Sequence, residues 1–174
     1  MPSLNVLAGW EATVLASLRG ATGTIEEKDR QITRSGLYAE YPAILRSYLD
    51  LLSDDAAGHE ALKRAVFLVW FSTMEPSPYS GISEFPEHHA REAMQVLEDR
   101  ARTGALDEEF VLMLAWYQGI MSAAFELYGV NTFAAQAIVG VPHDGWLGRF
   151  VPSQFGIRGQ LGTYWQSVLG SKAV

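Results

Sequence analysis

The densest group of ionisable side chains in this sequence is Glu84-Phe85-Pro86-Glu87-His88-His89-Ala90-Arg91-Glu92. Proline suits the first turn of a helix, so a helix is expected to begin at Pro86. On that helix His88 and Glu92 stand four residues apart and share a face. At this spacing an imidazole and a carboxylate can hold one cation. Two ligands fall short of a site, and Glu75, Glu126 and His143 are the side chains that folding would have to add. The start of a helix is also an ordinary place for solvated acids and a histidine, and that role is the expected one. No metal or other cofactor is predicted.

A second set is Gln118, Ser122 and Glu126, which fall on one stripe of an otherwise apolar helix. The plainer expectation is that this stripe is the wet edge of the helix. If it instead lines an internal pocket, Glu126 needs a partner, and its neighbours Phe125 and Leu127 would raise its pKa. The third set is Ser72, Glu75 and Tyr79, around the segment Glu75-Pro76-Ser77-Pro78. Each proline disfavours helical backbone in the residue before it, so Glu75 and Ser77 are expected to be extended. Stiff loops leaving a buried element often carry functional side chains, although the same four residues also serve simply to stop a helix. The candidate ligand-binding residues are therefore Glu75, Tyr79, His88, Glu92 and Glu126, and no catalytic residue is assigned.

Several chemistries lack support. Gly156, Gly159 and Gly162 follow a GxxGxxG spacing that is neither the dinucleotide fingerprint nor a phosphate loop, and no strand precedes them. There is no GxSxG nucleophile elbow and no HExxH zinc helix. The absence of cysteine excludes disulfides, thiolate nucleophiles and cysteine-ligated zinc. A net charge of -7 argues against nucleic acid or an anionic membrane as partner. The charge is uneven: residues 1–144 hold all 20 acids, whereas residues 145–174 hold Arg149, Arg158 and Lys172 and no acid. The plainer consequence is a basic tail lying on an acidic body. The sharper one is an acidic body that faces a basic partner.

The element that must position these groups is the stretch 62–82. Its seven consecutive apolar residues, Ala65 to Phe71, leave no face for water and belong at the centre of the fold. Val, Phe and Trp also suit strands, but the helix-forming segment from Ala56 to Arg64 runs into them without a breaker. A helix from about Ala56 to Met74 is therefore expected. Before it, residues 4–19 read as an amphipathic helix capped by Ser3 and ended by Gly20. Thr24 with Glu27 forms a capping box, and Leu37 to Leu52 is helical, with Pro42 placing its true start near Tyr41. After it comes a helix over 86–102, with Met94, Val96 and Leu97 inward and Arg91, Glu92, Glu98, Asp99 and Arg102 outward. Asp107-Glu108-Glu109 opens a second apolar helix, Phe110 to Tyr128, and a shorter one is expected from Thr132 to Val139. From Gly140 the chain reads as a glycine- and aromatic-rich irregular tail with a short helix from Gln160 to Leu169.

These readings predict an all-α fold, a single domain over 1–174. Some six or seven helices surround a central pair at about 56–74 and 110–128, with the tail 140–174 packed on the body. A chain of this length buries about 70% of its unfolded surface without a metal or disulfide. The N-terminus has no charged leader and acquires Glu11, so it does not read as a secretory signal. The longest apolar runs fall far below the roughly 18 residues that span a membrane, which leaves the cytoplasm as the expected location. The functional expectation is a non-enzymatic helical interaction protein (adaptor, inhibitor or immunity-type) presenting an acidic face to a basic protein partner. The alternative is a small-ligand-binding protein or enzyme with a core pocket lined by Glu75, Tyr79 and Glu126. The apolar content is compatible with a homodimer.

Overall fold

Every residue from Ala61 to Trp70 is buried, because a helix that is apolar on all sides can only lie inside. A computed structural model describes residues 2–131 and 146–170. Among these residues there are nine α-helices and no strand, so the all-α, single-domain expectation holds. They are α1 (Leu4–Gly20), α2 (Ile25–Ser35), α3 (Glu40–Asp50), α4 (Gly58–Met74), α5 (Ser77–Ser80), α6 (Glu87–Arg102), α7 (Glu108–Ile120), α8 (Ala123–Leu127) and α9 (Gly159–Gly170). Single 3-10 turns lie at Leu37–Ala39, Trp146–Arg149 and Pro152–Phe155. The helix expected at Thr132 to Val139, His143, the start of the tail at Gly140 and Lys172 lie outside the described residues.

Local chemistry sets most of the boundaries. The Ser3 hydroxyl accepts from the Val6 N–H at the start of α1. Thr24 and Glu27 close the capping box of α2, and Gly36 ends that helix in the left-handed region. Asp54 accepts from the N–H groups of Ala56 and Ala57 at 2.9 and 2.8 Å, ahead of α4. Asp107 caps α7 through the Phe110 N–H at 2.8 Å. Each replaces one of the bonds that the first turn of a helix cannot make internally.

Three expectations change. The helix from Phe110 to Tyr128 is broken at Met121, whose backbone (φ -150, ψ 88) leaves the helical region. Two local features accompany the break. Gly119 lowers helix propensity just before it, and the Trp70 indole N–H adds a bond at 3.2 Å to the Tyr117 carbonyl, which also accepts from the Met121 N–H at 2.8 Å. The break re-aims α8 so that Ala124 and Phe125 enter the core. Secondly, Ser77 is helical rather than extended, because Pro78 sits in the first turn of α5, where its missing N–H costs nothing. Glu75 is extended as expected (φ -103, ψ 131). Thirdly, Glu98 points inward and is buried, accepting from the Asn131 N–H at 3.1 Å.

α4 packs most closely on α3 and α6 and also touches α8 and α9, while α1 lies against α3 and α9. The expected central pair meets through Trp70, which stacks on Tyr117 of α7 with ring centroids 4.4 Å apart. Around this stack lie Phe67, Phe71, Tyr164 and Trp165. Trp165 is fully enclosed, 4.7 Å from the Phe150 ring, and its indole N–H donates to the Tyr117 hydroxyl at 2.8 Å. α9 is thus packed on the body through a core side chain. Replacing Trp165 by Ala removes the largest side chain that α9 buries. The expected loss is about 3–5 kcal/mol in urea denaturation, against less than about 0.5 kcal/mol for exposed Gln166→Ala.

Candidate functional site

The structure disperses most of the residues that the sequence singled out. Glu126 is exposed on α8, so the stripe with Gln118 and Ser122 is divided by the break at Met121. Glu75 is half-buried at the end of α4. No hydrogen bond or ion pair among the described residues joins Glu75, Tyr79 and Glu126. His88 and Glu92 are both exposed on α6. The Glu92 carboxylate lies 3.6 Å from Arg46, and the His88 ring is 4.1 Å from that of His89. Burial, with the nearby His88, holds His89 below the ordinary histidine range. Among the described residues no group of three side chains could hold a metal ion. Tyr79 is the candidate that reaches a concave surface. Half-exposed on α5, with the Lys28 ammonium 5.4 Å from its ring centre, it lines an open groove of about 240 Å³ between α1, the end of α4 and α9.

The largest polar assembly is one the sequence reading did not isolate. Lys63 and Arg64 directly precede the apolar run, on a helix with no wet face, so both are carried into the interior. Lys63 meets Glu109 and Asp107 at 2.6 and 2.7 Å. Arg64 donates through Nε to Glu60 at 2.7 Å and through Nη1 to the Leu4 carbonyl at 3.1 Å. From the far end of the chain Arg158, also buried, donates to Glu60 at 2.7 Å and to Glu109 at 2.8 Å. Burial pushes the Glu109 carboxyl up, but hydrogen bonds from Arg158 and Lys63 outweigh it and hold the group below the usual carboxylate range. The same balance keeps Arg158 charged: burial opposes the cation, and the bonds to Glu60 and Glu109 prevail. Carboxylates held this way are charge partners, with no lone pair set aside for proton transfer.

The assembly ends at Glu11. This residue occupies the buried stripe Leu7–Glu11–Val14–Leu18 of α1 and is 1% exposed. One carboxylate oxygen accepts from the Tyr48 hydroxyl, and the other accepts from the backbone N–H of Gln160 at 2.6 Å. It therefore acts as a cap on α9 supplied from the other end of the chain. Gly159 makes the approach feasible: its φ is +60, and a Cβ there would lie 2.6 Å from the Glu11 carboxyl carbon. Gly162 allows a second close contact, since a Cβ there would fall 2.0 Å from the Phe155 carbonyl oxygen. Burial raises the Glu11 carboxyl from 4.5 to about 7, against the lowering bonds from Tyr48 and Gln160. A group with that pKa suits proton transfer, but this one is enclosed with both oxygens bonded, so it serves the fold.

Comparison with protein-family models, with curated proteins and with solved structures finds no match to this chain. The functional reading therefore rests on geometry alone. Two sequence signals pointed to the buried assembly. Glu11 falls on the 4-3-4 spacing of the apolar face of α1, and the GxxGxxG spacing marks a helix that others approach closely.

Two expected outcomes follow from the Glu11 clasp. The folded chain binds the Glu11 proton more tightly than the unfolded chain, so this group's stabilising contribution is complete below about pH 4.5. It is lost as the pH rises through about 7. In urea denaturation, wild type should lose about 3 kcal/mol relative to Glu11→Gln between about pH 5 and pH 8; parallel pH profiles would show that the carboxyl is not raised. Gly159→Ala adds a collision with the carboxylate to left-handed strain. Gly104 has φ +69 and open space around its Cβ position. Gly104→Ala should therefore cost about 1 kcal/mol and Gly159→Ala at least about 2 kcal/mol more, measured as a shift in denaturation midpoint.

Proposed function

We propose that this protein is a non-enzymatic helical binding protein whose outward carboxylates engage a basic protein partner. The observation that supports this reading is how the acids are sorted. Several that face inward or toward the tail are neutralised within the chain, Glu60 and Glu109 by Arg158, Asp107 by Lys63 and Glu108 by Arg149, and on the surface Asp50, Glu87, Glu92 and Asp99 pair with arginines. Others, including Glu26, Glu27, Asp29, Asp54, Asp55 and Glu84, are exposed and form no ion pair with a described residue. The surplus behind the net charge of -7 is thus placed where a partner can meet it. Excess charge of one sign speeds and orients encounter with the opposite sign. Some exposed carboxylates have local duties, since Glu27 closes the capping box of α2 and Asp54 holds the turn ahead of α4. Asp55 and Glu84 have none; they lie near opposite ends of α6, and each is a candidate contact in this reading.

No helix among the described residues is long and apolar enough to cross a membrane, and the proposal has the protein act in the cytoplasm. Self-association as a homodimer is a competing use of the surface, and light scattering of the purified protein separates the two. In the deciding experiment the immobilised protein captures partners from its native lysate at about 0.1 M and about 1 M salt. A basic protein retained at the lower salt, lost at the higher, and weakened at least tenfold by Asp55→Lys with Glu84→Lys supports the reading. Retention of nothing at either salt, or retention indifferent to both substitutions, removes it.

A further inference from the structure

The groove beside Tyr79 combines three features that point to one kind of occupant. The first is its apolar lining. Leu15 and Leu18 of α1 share it with the rings of Phe71, Tyr79 and Tyr164. The Phe71 and Tyr164 rings stand edge to face with centroids 5.7 Å apart; each also packs on Phe67 and Trp70, which fixes the aromatic wall that the groove presents. The volume of about 240 Å³ lies just below the roughly 300–1,000 Å³ of sites for drug-sized molecules. It suits one substituted ring.

The second feature is charge. Arg19 lines the groove from the last turn of α1 and is exposed. It forms no ion pair with any described residue, although most other arginines of the protein do. No acidic residue lines this groove. Lys28, stacked on Tyr79, adds a second positive charge beside it. A planar guanidinium with free N–H groups binds carboxylate in a bidentate way.

The third feature is a buried acceptor without a donor. Gln160 is 4% exposed and also lines the groove. Its Nε2 donates to the Ser80 carbonyl at 3.0 Å, which fixes the amide, while its Oε1 is buried with no hydrogen-bond partner. Native proteins rarely leave such an atom unsatisfied, and a ligand N–H or O–H that displaces the side-chain atoms covering it would satisfy it.

We propose that this groove binds a small aromatic carboxylic acid bearing one hydrogen-bond donor. The carboxylate lies on Arg19, the ring among Phe71, Tyr79 and Tyr164, and the donor on Gln160 Oε1. The site is independent of the basic-partner surface, because it draws on cations where that surface draws on carboxylates. Calorimetric titration with 4-hydroxybenzoate, benzoate and neutral 4-hydroxybenzyl alcohol tests it. The expected result is saturable binding of 4-hydroxybenzoate at or below about 1 mM, with at least tenfold weaker binding of the neutral analogue. Arg19→Gln should weaken 4-hydroxybenzoate at least tenfold with an unchanged melting curve, because Arg19 is exposed and unpaired, while Arg102→Gln leaves the affinity intact. Failure to saturate by about 10 mM, or affinity unchanged in Arg19→Gln, overturns the proposal. Benzoate binding as tightly as 4-hydroxybenzoate overturns the role given to Gln160.

Discussion

The guanidinium of Arg158, held between Glu60 and Glu109, joins the last part of the chain to the helices at its centre. Removing such ions from water costs several kcal/mol each, and only a complete set of partners offsets that cost. Completion here is extensive. Lys63 supplies Glu109 from a second side, Arg64 supplies Glu60, and a weaker bond from Arg64 to the Tyr48 hydroxyl leads on to Glu11 and the start of α9. One polar seam therefore runs through α1, α3, α4, α7 and α9. Sliding or rotating any of these helices would strand a charge in the interior. An apolar seam of equal volume would be about as stable. The ionic seam contributes arrangement: it selects one register among packings that the aromatic core alone would tolerate.

The aromatic layer beside the seam depends on the same docking. α9 delivers Trp165 into the rings of Tyr117, Phe150 and Phe155, and Tyr164 against Phe67, Trp70 and Phe71. These contacts need a helix that can approach closely, and the glycines at 159 and 162 remove the Cβ atoms that would prevent it. The groove beside Tyr79 is a consequence. α9 supplies its Gln160 and Tyr164, α1 supplies Arg19, and the turn after α4 supplies Tyr79. The proposed groove thus exists only because α9 docks against α1. The same meeting consumes part of the acidic surface, since tail cations neutralise Glu60, Glu108 and Glu109. The acidic body and basic tail read from the sequence are in contact, and the carboxylates left outside form the surplus.

What the sequence determined by itself was most of what rests on interactions within about one helical turn. Ser3, the Thr24–Glu27 box and Asp107 mark helix starts because a cap reaches only three residues. The burial of the run Ala65 to Phe71 was legible because no rotation of so apolar a stretch gives it a wet face, and only Phe71 at its end is half-buried. The last helix was legible within a residue at each end. Tertiary structure decided the rest. Beside the break at Met121 the Tyr117 carbonyl accepts a second bond from the Trp70 indole, 47 positions earlier, which only packing brings there. Glu11 and Gln160 are 149 positions apart, so neither residue's environment could be computed from its neighbours. Of the candidate side chains, Tyr79 reached a groove, while Glu75, Glu126 and the His88–Glu92 pair of α6 stayed on three separate elements. Spacing specifies which residues share a helix face; which faces meet depends on contacts between distant parts of the chain, and those placed the buried charges and the groove.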